Sequence, residues 1–227
     1  MKTKAFITFS VLFLLVHTGY ADFSNYRYNP FQFNYPEYNY KADVTIINGS
    51  IESFENLAQV KFFGLSAYVP KNFVKTVRNE VYNQVTVKSD DFIFFMTKEK
   101  ELLSGCIEEK VKFNNKDFCS AFSSTKELFE KLFTLTADDL TKQNQSSIGD
   151  LWIIHRKGFL FEKTKSIHIY KGKAFTAFVQ VRKNNKTNEI SKDITLFHNK
   201  LSPDHYVSMG TNISDDAFLI KFFETLK

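Results

Sequence analysis

Serine, histidine and aspartate side chains near residue 205 are the first candidates for chemistry in this sequence. Asp204 and His205 lie between Ser202 and Ser208, and these residue types can form the acid, base and nucleophile of a hydrolase. Ser208 lacks the Gly-x-Ser-x-Gly setting that exposes a nucleophile on a sharp turn. The sequence therefore assigns no catalytic residue.

Metal and cofactor sites require other spacings, and the sequence offers none of them. The histidines form no His-Glu-x-x-His pattern and no Cys/His ligand spacing, and no Gly-rich phosphate-binding loop is present. Asp138 and Asp139 are adjacent carboxylates, but they fall in the first turn of a predicted helix, where acidic residues stabilise the helix dipole. We therefore predict no metal and no cofactor.

Cys106 and Cys119 are the two cysteines of the chain. In an exported protein an even cysteine count favours a disulfide, and closing this loop contributes about 3 kcal/mol in the chain-entropy model. A redox pair or a catalytic thiol is the alternative. The spacing is not Cys-x-x-Cys, so the structural disulfide is the preferred interpretation.

An aromatic segment at residues 22–40 is rich in tyrosine, phenylalanine and asparagine. Pro30 and Pro36 oppose a helix and favour an extended chain. Two interpretations remain open: the segment packs on its own domain or is disordered, or it is an exposed strip that docks a partner. The candidate partner-binding residues are Tyr26, Tyr28, Phe31, Phe33, Tyr35, Tyr38 and Tyr40.

Residues 1–21 have the organisation of a signal peptide. Lys2 and Lys4 precede an apolar stretch at 5–16 that is too short to span a membrane, and small residues end the segment. A membrane anchor is the alternative. We expect an exported protein, periplasmic or secreted, with no stable membrane anchor. The 30 basic and 25 acidic residues are scattered, so nucleic-acid binding is not expected.

The elements that would position these residues are predicted from periodicity. Residues 151–211 are predicted as a run of strands, clearest at 175–181, where Phe175, Ala177, Val179 and Val181 fall on one face at every second position. Lys192 is a polar exception on the apolar face of a later strand. Short connections favour antiparallel neighbours, which form a meander.

A helix with an apolar stripe is predicted to close the chain at residues 214–226. Ser214 is the predicted N-cap, and two aspartates follow it in the first turn. The stripe repeats at helical spacing and is expected to cover the sheet. Its members are Phe218, Leu219, Phe222, Phe223 and Leu226.

The first half of the chain is predicted in less detail. We expect strands at 44–47 and 60–70, a helical turn at 51–58, and a hairpin formed by 81–87 and 92–96. The middle, 98–144, is predicted to be helical, because Ser124 and Glu127 have capping-box spacing before an apolar stripe.

These elements predict an α+β fold: an antiparallel meander covered by helices, including the amphipathic C-terminal helix. The chain divides into a signal peptide at 1–21, an extended arm at 22–45 and one domain at 46–227, with a helical insert at about 98–144.

The order of elements resembles the PsbP-like α/β/α sandwich family of exported proteins. The run Phe63-Gly64-Leu65 leads to Val69-Pro70, and a hairpin, a helical insert, the strand run and the closing helix follow. The resemblance covers residues 60–227, and the insert and the cysteine pair depart from the simplest version of the family. It implies a non-catalytic protein that binds another protein, and it transfers no active-site residue.

The predicted function is therefore that of an exported, non-catalytic binding protein, for example an accessory protein or an immunity protein that neutralises a toxin. Its expected partner is another protein of the same compartment. Two alternatives remain open. One is a hydrolase in which His168, His198 and His205 converge in one cleft. The other is a carrier that holds a small ligand in an aromatic pocket beneath the sheet.

Overall fold

The computed structural model describes residues 36–49, 55–73, 75–79, 84–89, 93–99, 122–141, 148–184 and 187–227. The strands within these ranges are β1 (Asp43–Ile46), β2 (Leu57–Phe62), β3 (Leu65–Pro70), β4 (Lys75–Asn79), β5 (Gln84–Lys88), β6 (Ile93–Glu99), β7 (Thr164–Lys171), β8 (Phe175–Lys183), β9 (Ile190–His198) and β10 (Tyr206–Thr211). The helices are α1 (Thr125–Thr134), α2 (Ala137–Thr141), α3 (Ile148–Leu160) and α4 (Asp216–Glu224), with short 3-10 turns at Pro36–Asn39 and Lys71–Phe73.

Eight of these strands form one sheet in the order β1-β7-β8-β9-β10-β6-β5-β4, and β2 and β3 form a separate hairpin. The pairs from β7 to β4 are antiparallel, whereas β1 runs parallel to β7. The predicted α+β class is confirmed at this level: a mostly antiparallel sheet with helices, one of them at the C-terminal end.

The β2–β3 hairpin and helix α4 pack against one face of the large sheet. Phe222 of α4 lies between the two layers, with its ring centroid 6.0 Å from Phe62 of the hairpin and 5.0 Å from Phe94 of β6. All three side chains are buried. Burial of side chains this large contributes about 1.5–3 kcal/mol each as an upper estimate.

Helices α1 and α3 pack against the opposite face. Phe133 of α1 lies 5.2 Å from Phe178 of β8 and 5.4 Å from Phe161, which follows α3, between ring centroids. Strand β8 is therefore buried on both faces, since Thr176 and Phe178 point to the helices and Ala177 points to the hairpin side.

The structure corrects the strand assignment of residues 151–160, which lie in helix α3. The buried positions Ile153, Ile154, Lys157 and Phe161 have helical spacing. The pattern was missed because a lysine occupies one position of the buried stripe, so the apolar residues that remain favour a strand.

The predicted single strand at 60–70 is also wrong, because a turn at Phe63 and Gly64 divides it into β2 and β3. Phenylalanine is unusual in such a turn and gave no turn signal. Strand β2 begins at Leu57, inside the predicted helical turn. Strand β3 does end at Pro70, as predicted, and the β5–β6 hairpin is confirmed.

The helical prediction for residues 98–144 is confirmed for α1 and α2, whereas residues 98–99 belong to strand β6. Ser124 is the N-cap of α1, as predicted, and its hydroxyl accepts from the Glu127 amide. The Glu127 carboxylate accepts from Ser123, one residue before the expected partner.

The N-cap of helix α4 is Asp215 and not Ser214. The Asp215 carboxylate accepts from the Ala217 amide at 2.8 Å. Ser214 remains outside the helix because its carbonyl accepts from the Lys192 ammonium at 2.8 Å. Aspartate and serine are equally good caps, so a distant lysine decides which of them is used.

Several predictions fall outside the described residues: the signal peptide at 1–21, the first part of the arm at 22–35, and the pairing of Cys106 with Cys119. A strand was expected at 44–47, and β1 is observed at Asp43–Ile46 as a member of the large sheet. Residues 43–45 had been assigned to the end of the extended arm. None of the helices in the described ranges has the length and apolarity needed to cross a membrane.

Candidate binding surfaces

The three histidines proposed for a hydrolase do not converge. His168 on β7 pairs with Val179 on β8, which pairs with Ile194 on β9. His198 lies four residues further along β9, so strand geometry separates the two histidines by roughly 15 Å. His205 lies in the loop between β9 and β10, where its amide donates to the Ser202 carbonyl at 2.8 Å.

The side chains near His205 have structural roles. The Asp204 carboxylate accepts from the Thr125 amide at 3.1 Å and so fixes the first turn of α1 to the β9–β10 loop. Ser208 lies within strand β10, paired with Thr195 and Thr97 on its two neighbours. The Asp204 carboxylate thus fixes the start of α1 and does not orient a histidine for catalysis.

His198 and His168 each have local partners. The Nδ1 atom of His198 accepts from the Lys200 amide at 3.1 Å, and burial together with the Lys200 charge lowers the pKa of His198. His168 contacts Ser166 Oγ through Nε2 at 2.8 Å, and its Nδ1 lies 3.9 Å from Asp43 on strand β1. His168 therefore lies beside the edge of the sheet.

Of the aromatic residues proposed to bind a partner, Tyr26, Tyr28, Phe31, Phe33 and Tyr35 precede the described residues. Tyr38 is only 5% exposed, and its ring occupies the space that a Cβ on Gly158 of helix α3 would need. Tyr40 is half-buried, and its hydroxyl donates to the Thr164 carbonyl at 3.3 Å. These two tyrosines thus pack on their own domain.

Lys157 anchors this aromatic segment from inside the protein. Its side chain is fully buried, and its ammonium donates to the carbonyl of Tyr40 and to that of Leu135 at 2.5 Å. Burial lowers the pKa of Lys157 to about 8, although the charge of Asp139 opposes this shift. A lysine enclosed in this way joins three segments and offers no access to a substrate.

A second polar cluster joins the end of α3 to the sheet. The Gln180 amide donates to the Leu160 carbonyl at 2.7 Å and to Thr164 Oγ1 at 2.5 Å, and Arg182 forms an ion pair with Asp193 at 3.0 Å. Burial raises the pKa of Asp193, although the Arg182 charge opposes this shift. Arg182 also donates to Gln180 Oε1 at 3.2 Å, so these groups contact one another, which indicates a structural cluster.

Strand β1 is the first candidate binding surface, because it forms one edge of the large sheet among the described strands. Val44 is 53% exposed and Ile46 is 60% exposed. The Ile47 amide donates to Lys171 of β7 at 2.8 Å. Since backbone groups alternate in a parallel ladder, the amides and carbonyls of Val44 and Ile46 point away from β7.

A groove at the β2–β3 turn is the second candidate surface. Its volume is about 460 Å³, within the range of small-molecule sites. Phe62, Leu65 and Val85 are buried side chains in its lining. The groove lies at the tip of the hairpin and not beneath the large sheet, where an aromatic ligand pocket was expected.

No group of three or more His, Cys, Asp or Glu side chains among the described residues could hold a metal ion. In comparisons with known proteins, no family model matches this chain and no curated protein matches it.

Proposed function

We propose that this chain is an exported, non-catalytic binding protein that docks another protein of the same compartment at strand β1. The observation that carries the proposal is an edge strand whose two large aliphatic side chains, Val44 and Ile46, are more than half exposed. Exposed strand edges of this kind take up an extended segment of a partner as an additional strand.

The chemistry of the edge defines the segment that fits it. Val44 and Ile46 lie on one face of β1, and Asp43 lies on the other with 86% of its side chain exposed. An added strand also alternates between the two faces. The complementary partner segment therefore alternates apolar residues with basic ones and donates backbone hydrogen bonds to Val44 and Ile46.

The position of β1 in the chain supports this assignment. The aromatic segment ends at Tyr40, three residues before Asp43, and Tyr40 is fixed to the domain through Lys157 and Thr164. The part of the aromatic segment that the structure describes therefore leads directly into the edge strand.

We also infer the finer architecture, a meander covered by helices with a PsbP-like relationship. In support, β7, β8, β9 and β10 are antiparallel neighbours in chain order, and helices pack on both faces. The resemblance implies protein binding without catalysis, which agrees with an open sheet edge. Export rests on the signal-peptide pattern of residues 1–21.

The proposal is tested by replacing both exposed aliphatic residues of the edge. The mature chain carrying Val44→Lys and Ile46→Lys is immobilised and exposed to the periplasmic or secreted fraction of its own cells. Two lysines on the edge oppose strand addition through charge and through loss of apolar contact. We expect a protein retained by the wild type to be lost from this variant by at least about tenfold.

The matched control carries two lysines at exposed positions away from β1, Asn72→Lys with Ser202→Lys, and should retain the partner as the wild type does. Retention of nothing above background by the wild type, or equal retention by the β1 variant, contradicts the proposal.

A further inference from the structure

We infer that the groove at the β2–β3 turn binds an anionic amphiphile of the fatty-acid class, with its tail on the apolar floor and its carboxylate among the lysines of the rim. Strand β5, which contributes Val85 to the groove, is seventh in the sheet order, whereas β1 is first. The site is therefore separate from the proposed protein-docking edge and does not depend on it.

The floor of the groove suits a hydrocarbon tail. Phe62 and Leu65 flank the hairpin turn, and Val85 comes from the sheet beneath it. All three are almost fully buried and belong to the main apolar core on that side of the sheet. A ligand tail placed here would extend the core outward and would remove its own apolar surface from water.

Phe63 gives the groove an aromatic wall in a strained backbone conformation. Its φ is +50° and that of Gly64 is +81°, as a two-residue hairpin turn of the primed type requires. Asparagine or glycine occupies the first of these positions without strain, whereas phenylalanine does not. Backbone strain of this kind is concentrated at functional sites.

The Phe63 ring lies where a ligand would contact it. It is half-buried, meets the Phe62 ring edge-on at 6.2 Å between centroids, and lines the groove. An asparagine would form the same turn more easily, so the turn alone does not explain the ring. The ring packs against the apolar core on this side of the sheet, and its exposed part can contact an apolar ligand in the groove.

The rim of the groove carries positive charge. Lys61, Lys200 and Lys227 line it, and none of the three forms an ion pair in the part of the chain that the structure describes. By contrast, Lys126 and Lys192 are paired with carboxylates. The described lining holds no acidic side chain, and the main-chain oxygen of Lys227 accepts from the Ser66 amide, so three unpaired lysine side chains favour an anion.

The rim is also held in place. Lys227 exchanges two backbone hydrogen bonds with Ser66 of β3, its amide donating at 2.9 Å and its main-chain oxygen accepting at 3.0 Å. Lys61 lies on β2 of the same hairpin. The backbones of two of the three lysines are therefore fixed relative to the turn, which lowers the ordering cost of binding.

The test is calorimetric titration of the mature protein with three probes that share a twelve-carbon tail, each below its micelle concentration at low ionic strength. Dodecanoate should bind with a dissociation constant below about 100 μM, dodecanol at least about tenfold more weakly, and dodecyltrimethylammonium without detectable heat. The inference is overturned by no dodecanoate binding at about 1 mM, or by equal affinity for the three probes.

Two variants separate binding from folding. Phe63→Asn should lower dodecanoate affinity at least about tenfold and leave the melting temperature within about 4 °C, because asparagine relieves the turn strain while the half-buried ring is lost. Lys61→Glu with Lys227→Glu should weaken dodecanoate and strengthen the cationic probe.

The control, Lys163→Glu with Lys165→Glu, makes the same charge change at exposed positions away from the groove and should bind dodecanoate as the wild type does. Unchanged binding by Phe63→Asn overturns the inference. The capture experiment on strand β1 uses other residues, so either result can fail without the other.

Discussion

At Lys157 a charged side chain is held where water cannot solvate it. Its ammonium is surrounded by the carbonyls of Tyr40 and Leu135 and lies 5.9 Å from the centre of the Phe161 ring. Leu135 is the C-cap of α1, and a cation suits the free carbonyls at a helix C-terminus. Lys157 thus fixes the N-terminal segment and α1 to α3, while its own burial opposes folding.

The pH dependence of the free energy of unfolding measures how strongly the burial of Lys157 opposes folding. The pKa of Lys157 is about 8 in the folded protein against 10.5 for an ordinary lysine, so between these values the unfolded chain binds more protons. The free energy of unfolding should therefore rise with pH, and the Lys157 contribution between pH 7 and pH 10 is about 2–3 kcal/mol.

Urea denaturation of the wild type and of Lys157→Met at several pH values isolates this contribution. The wild type should gain about 2–3 kcal/mol relative to the variant between pH 7 and pH 10. Lys163→Met, at an exposed lysine, should follow the wild type. Parallel curves for wild type and Lys157→Met would show that Lys157 is not perturbed by burial.

Tyr170 limits this gain at higher pH. Burial, together with the charge of Asp216, raises the pKa of Tyr170 to about 12. Above about pH 10 the folded chain therefore retains a proton that the unfolded chain loses, and this group lowers stability as the pH rises further.

Residues with a local signal were predicted correctly, and residues whose role depends on distant partners were not. Ser124 was identified as a cap because its partner is three residues away. Lys192 was noticed as a polar exception on an apolar face, but its partners at Ser214 and Asp216 are 22 and 24 residues away. Lys157 gave no signal, since its partners lie in two other elements.

Among the elements, the start of helix α4 depends on an unequal ion pair. Lys192 is 1% exposed, and its ammonium donates to Asp216 at 2.6 Å and to the Ser214 carbonyl at 2.8 Å. The Asp216 side chain is 57% exposed. Water can solvate the aspartate if the pair is broken, but it cannot reach the lysine.

Removing each partner should therefore have different effects. Asp216→Ala leaves a buried cation with one carbonyl partner and should lower the free energy of unfolding by about 2 kcal/mol. Lys192→Met leaves a solvated aspartate and should cost less than about 1 kcal/mol. Chemical denaturation of the single and double variants measures both changes.

A variant of the N-cap in the same helix turn distinguishes loss of the Lys192–Asp216 ion pair from loss of helix capping. Asp215→Ala removes the N-cap and should cost about 1 kcal/mol whether or not Lys192 is present. If Asp216→Ala were no more costly in the wild type than in the Lys192→Met background, the ion pair would contribute nothing to stability.

Elements with regular alternation and short connections were predictable. Strand β8 was identified from Phe175, Ala177, Val179 and Val181, although the residues on its other face are also buried beneath helices. The parallel pairing of β1 with β7 was not predictable, because more than a hundred residues separate Val44 from Ile169 in the chain. Helix α3 was misassigned because its buried stripe includes Lys157.

On the scale of the whole molecule, the two candidate surfaces lie at different parts of one scaffold. The sheet is stabilised by apolar layers on both faces, and its β1 edge leaves Val44 and Ile46 exposed. The groove lies between the hairpin and strand β5, which is seventh in the sheet order, whereas β1 is first. Neither surface could be predicted from sequence, since the groove combines residues from several elements and the exposure of β1 depends on its place at the edge of the sheet.

The central claim is that a partner segment adds a strand to β1, and backbone hydrogen exchange tests it most directly. Amide exchange is measured by NMR in the free protein and in its complex with the captured partner. The account predicts that the Val44 and Ile46 amides, which point away from β7, exchange at least about tenfold more slowly in the complex. Unchanged exchange at both amides while the partner is bound would contradict it.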